Sequence, residues 1–162
     1  MKRSLRALFV ALCGVFLLAG TVCAAESPMA TLQVKVDQIL DVLKQPAYKD
    51  PIKRVPLRAQ IEKYDHEIFD FGEFSARTVG RNWPTFSEAQ KQRFDTAFAN
   101  LLLITYLDKV QGYNGEKIAY TGEVMSSKGD RAEIQTVVTL SDGKAVPAAY
   151  RMMLKNGRWV VY

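Results

Sequence analysis

The side chains that could perform acid–base chemistry lie close together in the sequence, around a single histidine. His66 is the only histidine of the chain, and it stands between Asp65 and Glu67. No further histidine or cysteine can complete a metal shell here, and carboxylates alone favour Ca²⁺ or Mg²⁺. As a general base, His66 would need a substrate proton within hydrogen-bond reach. We interpret it as a surface or capping histidine.

Asp70 is the strongest acidic candidate, because Phe69 and Phe71 flank it. A carboxylate among aromatic rings can have a raised pKa and act as an acid or base. However, Asp70 precedes Glu73 by three residues, which is the capping-box spacing at the start of a helix. We therefore interpret Asp70 as an N-cap, worth about 1 kcal/mol. An acid–base pair of Asp70 and His66 stays open as the alternative.

Two helices are predicted before this segment. Ser27-Pro28 is a helix start, and the apolar stripe that follows predicts a helix of about 17 residues, ended by Pro46. Residues 48–56 are broken by prolines, and a second helix is predicted from Leu57 to about Tyr64. The region between them is basic, which indicates either a solvated face or a contact for an anionic partner or lipid headgroup. Its basic residues are Lys49, Lys53, Arg54 and Arg58.

The stretch from Phe69 to Tyr106 holds six of the eight phenylalanines. Gly80 is placed to end a short helix, and Ser87 with Gln90 forms a second capping box. A long amphipathic helix is predicted from about Glu88 to Val110. The width of its apolar stripe predicts that other structure covers one whole face. That face comprises Phe94, Phe98, Leu101, Leu102 and Thr105.

After Gly115 the apolar period changes from 3.6 to 2, which indicates strands. Asp142-Gly143 and Asn156-Gly157 are strong signals for tight hairpin turns. Pro147 indicates an edge position or a bulge in the third strand. These patterns predict a four-stranded antiparallel meander with one apolar face. In the first strand that face would carry Ile118, Tyr120 and Val124.

Helices followed by strands predict an α+β fold, with N-terminal helices packed on one face of a C-terminal twisted antiparallel sheet. A twisted sheet that helices wrap only in part leaves a concavity between the layers. We predict one domain over residues 26–162.

Residues 1–25 have the pattern of a signal peptide. Three basic residues precede the apolar run Ala7–Gly20, and small residues near Ala25 suit cleavage. Cleavage there would remove both cysteines and three positive charges of a chain with a net charge of +5. We therefore predict an exported protein without cysteine chemistry and with no nucleic acid partner. An N-terminal membrane anchor and a lipoprotein modified at Cys23 are the alternatives.

An ordered set of short motifs runs through the rest of the chain. The motifs include Phe69-Asp70-Phe71, Ser75-Ala76-Arg77, Val79-Gly80-Arg81-Asn82-Trp83, Gly129-Asp130-Arg131-Ala132, Tyr150-Arg151 and Asn156-Gly157-Arg158-Trp159-Val160-Val161-Tyr162. In these motifs the sequence resembles the MlaC-like periplasmic phospholipid carriers, also called the toluene-tolerance family. Thr78 departs from the leucine usual in the family. The family also continues past the position of Tyr162, so we expect an exposed edge or an opened pocket there.

The resemblance implies a carrier, not an enzyme, with an NTF2-like cavity and no cofactor other than bound phospholipid as cargo. It implies a periplasmic protein that helps to maintain outer-membrane lipid asymmetry. The implied partners are phospholipid, an inner-membrane ABC transporter complex with an MCE-domain protein, and an outer-membrane lipoprotein complex. We expect a monomer. An NTF2-like enzyme using Asp70 and His66, and a protein-interaction module using the Phe-rich stretch, are the alternatives.

In such a carrier the acyl chains would lie between helices and sheet. Returning one chain of ~16 carbons to water costs on the order of 12 kcal/mol, so the slot must be deep and apolar. Ordinary core packing is the alternative role for each lining candidate. We predict that the lining consists of Phe71, Phe74, Val79, Trp83, Phe94, Phe98, Leu101, Leu102, Tyr106, Val138, Val146, Tyr150, Met152 and Trp159.

Overall fold

The computed structural model describes residues 26–110 and 113–162, apart from the side chains of residues 106–110. The predicted signal peptide therefore lies outside the described residues, as does the side chain of Tyr106. Within the described part, helices precede strands, and the strands form one antiparallel sheet in the order β1-β2-β3-β4. The α+β prediction is confirmed. The α-helices are α1 (Pro28–Leu43), α2 (Arg54–Ile68), α3 (Phe71–Val79) and α4 (Glu88–Val110), with short 3-10 helices at Pro46–Lys49 and Gly80–Thr85, and the strands are β1 (Lys117–Met125), β2 (Arg131–Thr139), β3 (Ala145–Lys155) and β4 (Arg158–Val161).

Local capping chemistry sets most of the helix starts. The Ser27 side chain accepts a hydrogen bond from the Ala30 amide at the start of α1. At the start of α4, the Gln90 amide donates to Ser87 Oγ over 3.3 Å, and the Ser87 amide donates to Gln90 Oε1 over 2.8 Å. This reciprocal pair is the predicted capping box. By contrast, α2 begins three residues earlier than predicted, because Pro56 fits within a first helical turn.

Tight turns and a short final strand give the sheet its shape. Asn156 and Gly157 both have positive φ, 53° and 77°, as the tightest two-residue hairpin turn requires. Within the described sheet, the following strand, β4, pairs with the segment Met152–Lys155 of β3 and leaves the rest of β3 without a partner on that side. Pro147 pairs with Val137 of β2 and has no β4 residue on its other side. It therefore occupies an edge position, as predicted.

A β-bulge in β1 overturns one prediction about the apolar face. The pairing of β1 with β2 shifts between Tyr120 and Gly122. Such an extra residue reverses which side chains face the helices, since alternate residues point to opposite faces. Val124 is consequently 57% exposed on the outer face, so its predicted inward position is wrong. Glu123 takes the inward place, where its Oε2 accepts a hydrogen bond from the Met29 amide over 2.9 Å.

Two buried clusters hold the layers together. The sheet core joins α1 and the end of α2 to the inner face of the sheet, and the helical core joins the far end of α1 to α2. Tyr48, from the 3-10 helix after α1, is part of the helical core. The sheet core consists of Leu32, Ile68, Ala132, Ile134, Met152, Trp159 and Val161, and the helical core of Val42, Leu43, Tyr48 and Ile61.

The long helix α4 is covered less than its sequence predicts. Its main packing partner is α3, and Leu103 packs against the helical core. Leu101 is 60% exposed and Thr105 is also exposed. The prediction of a fully covered face is therefore wrong at these two positions. Among the helices in the described residues, none has both the length and the apolarity to cross a membrane.

The sheet core should dominate the stability of the domain. Ile134 is fully buried, so Ile134→Ala should lower the free energy of unfolding by about 2–5 kcal/mol through lost burial and an unfilled cavity. Urea unfolding followed by circular dichroism measures this. Val124→Ala, on the exposed face of β1, is the control and should change stability by no more than about 0.5 kcal/mol. Equal losses in the two variants would contradict the assigned core.

Candidate functional site

An aromatic cluster fills the corner between α3 and α4. The ring centroids of Phe74 and Phe98 are 5.5 Å apart, those of Phe98 and Phe94 5.6 Å, and those of Phe94 and Trp83 5.8 Å. All four were predicted as lining residues, and the structure brings them together, each half-buried. Phe86, which was not predicted, completes the cluster at 5.6 Å from Trp83. The sequence feature that could have identified Phe86 is its position just before the N-cap of α4, where apolar residues commonly pack back onto the helix.

The other lining candidates separate from this cluster. Met152 and Trp159 are buried in the sheet core, and Tyr150 packs half-buried against it. Phe71 lies apart from the cluster, with its ring centroid 5.8 Å from that of Phe69. Val79 is half-buried at the end of α3. The predicted set is therefore not one continuous wall.

Apolar side chains on α4 and at one end of the sheet are left without full cover. Val138 and Val146 are cross-strand partners, and alternation puts them on the same face as the sheet core. Val138 is half-buried, whereas Val146 is exposed. On α4, Leu102 is half-buried, while Leu101 and Ile104 are 60% and 59% exposed. We call Leu101, Ile104, Val138 and Val146 the open apolar surfaces.

Packing around the helical core connects these two surfaces. Leu103 of α4 and Tyr113 of the segment before β1 both pack against that core. The strand that follows Tyr113 pairs Ile118 with Val138. The last turns of α4 and the open end of the sheet are thus anchored to the same cluster. Ile104 was missed in the sequence, although it lies three residues from Leu101 and so on a neighbouring part of the helix surface.

The acid–base candidates lie in a separate polar depression of about 300 Å³. His66 is exposed there, with its ring centroid 5.0 Å from that of Phe71. Asp70 Oδ1 accepts from the Glu73 amide over 3.0 Å, and Asp70 Oδ2 pairs with Lys155. Both carboxylate oxygens of Asp70 are therefore engaged in holding the start of α3. The N-cap interpretation of Asp70 is confirmed.

Some polar groups are buried near the apolar interior. Ser75 Oγ and Tyr120 Oη are buried with no hydrogen-bond partner in the described residues. Burial, together with the Asp37 carboxylate, raises the pKa of Tyr120 to about 12. The part of the chain that the structure describes contains no group of three or more His, Cys, Asp or Glu residues that could hold a metal ion.

Asp65 is the one carboxyl on the core-facing side of α2. It lies four residues after Ile61 and three before Ile68, both buried, so a helix places the three on one face. Burial, with a smaller contribution from the Glu62 carboxylate, raises the pKa of Asp65 from 3.8 to about 6. The interior between the sheet core and the helical core therefore favours the neutral acid.

Helices on one face of a twisted antiparallel sheet, with apolar side chains left uncovered beside it, define an NTF2-like α+β fold. A candidate NTF2-like transpeptidase from Campylobacter jejuni shares this fold, with a TM-score of 0.50 and 12% identity over 83% of this chain and 96% of that chain. The model of the MlaC protein family matches residues 33–162, and the chain therefore belongs to that family.

A solved structure with a higher similarity supports the same architecture. A phospholipid-binding protein from Ralstonia solanacearum, solved in complex with a phospholipid, has a TM-score of 0.74 and 22% identity. The match covers 84% of this chain and 75% of that chain. A search of the curated proteins found no match. The family resemblance predicted from the motifs is confirmed.

Replacement of Asp70 should separate its two contacts. Asp70→Ala removes both the cap and the pairing with Lys155, so it should lower the free energy of unfolding by about 1–2 kcal/mol. Asp70→Asn can still cap α3 and should cost clearly less, because the ion pair is partly exposed. Urea unfolding at neutral pH gives both values. An equal loss in the two variants would show that the ion pair, and not the cap, carries the effect.

The raised pKa of Asp65 predicts a pH-dependent stability. Because the folded state keeps this proton to higher pH than the unfolded chain, stability should fall as pH rises from about 4 to about 6. Asp65→Asn removes this term, so the variant should be more stable than the parent by about 1–3 kcal/mol at pH 7 and nearly equal at pH 4. Urea unfolding at both pH values measures the difference. Asp142→Asn, at an exposed turn, is the control, and a stabilisation that is the same at both pH values would refute the assignment.

Proposed function

We propose that this protein is a phospholipid carrier whose acyl-chain site is formed at the open apolar surfaces. The observation that carries the proposal is the exposure of Leu101 and Ile104 on α4, together with Val146 on the sheet, in a chain of the MlaC family. A fold neighbour that is a phospholipid-binding protein supports it. Exposed apolar surface of this kind commonly marks a site for a ligand, a membrane or a protein partner.

Acyl-chain energetics require such a surface. A chain of ~16 carbons gains on the order of 12 kcal/mol from leaving water, at ~0.8 kcal/mol per methylene. A few hydrogen bonds to a headgroup, worth about 1 kcal/mol each, cannot replace that amount. The carrier must therefore offer apolar contact along the chain. The aromatic cluster and Leu102 adjoin the exposed positions on α4 and extend the apolar area available to it.

The cellular role that we propose follows the family. The protein would be exported to the periplasm and would move phospholipid between the outer and inner membranes, with the effect of keeping the outer membrane asymmetric. Its partners would be an outer-membrane lipoprotein complex and an inner-membrane ABC transporter complex with an MCE-domain protein. It would act as a monomer, with phospholipid as cargo and no cofactor.

Two alternatives receive less support. An enzyme using Asp70 and His66 needs a free carboxylate, but Asp70 caps α3 and pairs with Lys155. A protein-interaction module needs exposed aromatic rings, but those of Phe74, Phe94 and Phe98 are half-buried against one another. The carrier proposal uses the exposed aliphatic side chains instead.

Charged substitutions on α4 should remove the cargo. Leu101→Asp and Ile104→Asp each put a carboxylate where acyl methylenes would pack, so phospholipid affinity should fall at least about tenfold. Both side chains are already exposed, so the fold should survive. Native mass spectrometry of gently purified protein gives the bound lipid, and thermal unfolding with added phospholipid gives the stabilisation that binding to the folded state produces.

Val124→Asp is the matched control, since Val124 is equally exposed but lies on the outer face of the sheet. It should keep its lipid and its thermal shift. Parent protein without bound lipid and without a thermal shift would refute the carrier proposal. Loss of lipid in the control to the same extent as in the α4 variants would refute the assigned site.

A further inference from the structure

The turn between α1 and α2 lies outside the open apolar surfaces, and it presents the most exposed large apolar side chain of the described residues. We propose that this α1–α2 turn, residues 46–56, docks the protein onto the surface of an anionic phospholipid bilayer. Ile52 is 82% exposed and Val55 is 64% exposed, and only two residues separate them. The proposal concerns where the molecule touches a membrane, and it does not depend on the cargo site.

The turn is held by its own hydrogen bonds. Asp50 Oδ1 accepts from the Ile52 amide over 2.9 Å and from the Lys53 amide over 3.2 Å. The Arg54 amide donates to the Asp50 carbonyl over 3.0 Å. On the inner side, Tyr48 is buried in the helical core. The backbone under Ile52 is therefore fixed before any contact, which lowers the entropy lost on docking.

The charge around these side chains suits an anionic surface. Residues 49–58 contain four basic residues and one acid, Asp50. Asp50 Oδ1 is engaged by the backbone amides of its own turn, and Asp50 Oδ2 lies 3.8 Å from Lys53 Nζ. That ion pair is long and solvent-exposed, so it holds Lys53 weakly, and the Lys53 side chain remains 70% exposed. Lys49 is exposed as well. Each Lys or Arg near an anionic bilayer strengthens binding by roughly fivefold, a contribution that salt screens.

The size of the patch favours a bilayer over a protein partner. A stable protein interface needs about 800 Å² from each side, usually with an aromatic or arginine anchor in a central pocket. Ile52 and Val55, two exposed aliphatic side chains, supply no aromatic anchor for such a pocket. They do match shallow insertion between headgroups, where apolar side chains enter the acyl boundary and basic side chains stay among the phosphates.

Vesicle flotation tests the proposal with the whole protein. The parent should float with vesicles of phosphatidylglycerol and phosphatidylethanolamine, and it should bind vesicles of phosphatidylcholine at least tenfold more weakly. High salt should also release it. The double variant Lys49→Glu with Lys53→Glu should lose about 25-fold or more in affinity. The double variant Ile52→Ser with Val55→Ser should lose about tenfold or more.

The control variants carry the same types of substitution at exposed positions outside the α1–α2 turn. Val124→Ser removes an exposed valine from the outer sheet face, and Lys128→Glu with Lys144→Glu reverses two exposed charges in strand turns. Both should bind vesicles as the parent does. Equal binding by the α1–α2 turn variants and the controls would overturn the proposal. Equal binding of the parent protein to anionic vesicles and to phosphatidylcholine vesicles would overturn it as well. The proposal would also be overturned if the parent protein did not bind vesicles but bound a membrane protein, and the turn variants lost that binding.

Failure of docking is distinguishable from failure of the carrier function. The turn variants should keep the bound phospholipid seen by native mass spectrometry, because none of the four substituted side chains belongs to the open apolar surfaces. Loss of vesicle binding with retained cargo supports docking at the turn. Loss of both together would show that the turn belongs to the cargo site, and it would overturn the separate docking role.

Discussion

The cover that α1 and the end of α2 provide over one part of the sheet is the constraint on which the rest of the molecule depends. Ile134 and Met152 are completely buried beneath it, so the two layers are fixed to each other there. The same face of the same strands continues to Val138 and Val146, where burial is incomplete. A sheet face that the helices cover only in part leaves apolar side chains exposed, and the acyl-chain site that we propose uses them.

A backbone contact at the edge of the sheet separates the packing of α3 and α4 from that of α1 and α2. Between α2 and α3, Phe69 forms a parallel bridge with Val161, and the Asp70 amide donates to the Val161 carbonyl. Asp70 then caps α3, whose packing on α4 uses the aromatic cluster. Because these rings supply the contacts between α3 and α4, α4 does not need the sheet to bury its apolar face. Leu101 can therefore remain uncovered.

The helical core connects the α1–α2 turn, which we assign to membrane docking, with α4, which we assign to the cargo site. Tyr48, at the base of the α1–α2 turn, lies in the same cluster against which Leu103 of α4 packs. A turn docked on a bilayer would thus hold the end of α4 near that bilayer. Leu101 and Ile104 flank Leu103 in sequence, so the proposed cargo site and the proposed docking turn are connected through one buried cluster. This arrangement suits the carrier function that we propose.

The sequence by itself determined the features that act over a few residues. The caps at Asp70 and Ser87, the hairpin turn at Asn156-Gly157, the helix-then-strand order and the family motifs are all confirmed, because each depends on local chemistry. Only the tertiary structure decided which apolar residues are covered. One bulge turned Val124 outward, and packing on α3 instead of the sheet left Leu101 exposed. Periodicity identifies an apolar face, but its burial depends on partners distant in sequence, and a single inserted residue reverses a strand's faces.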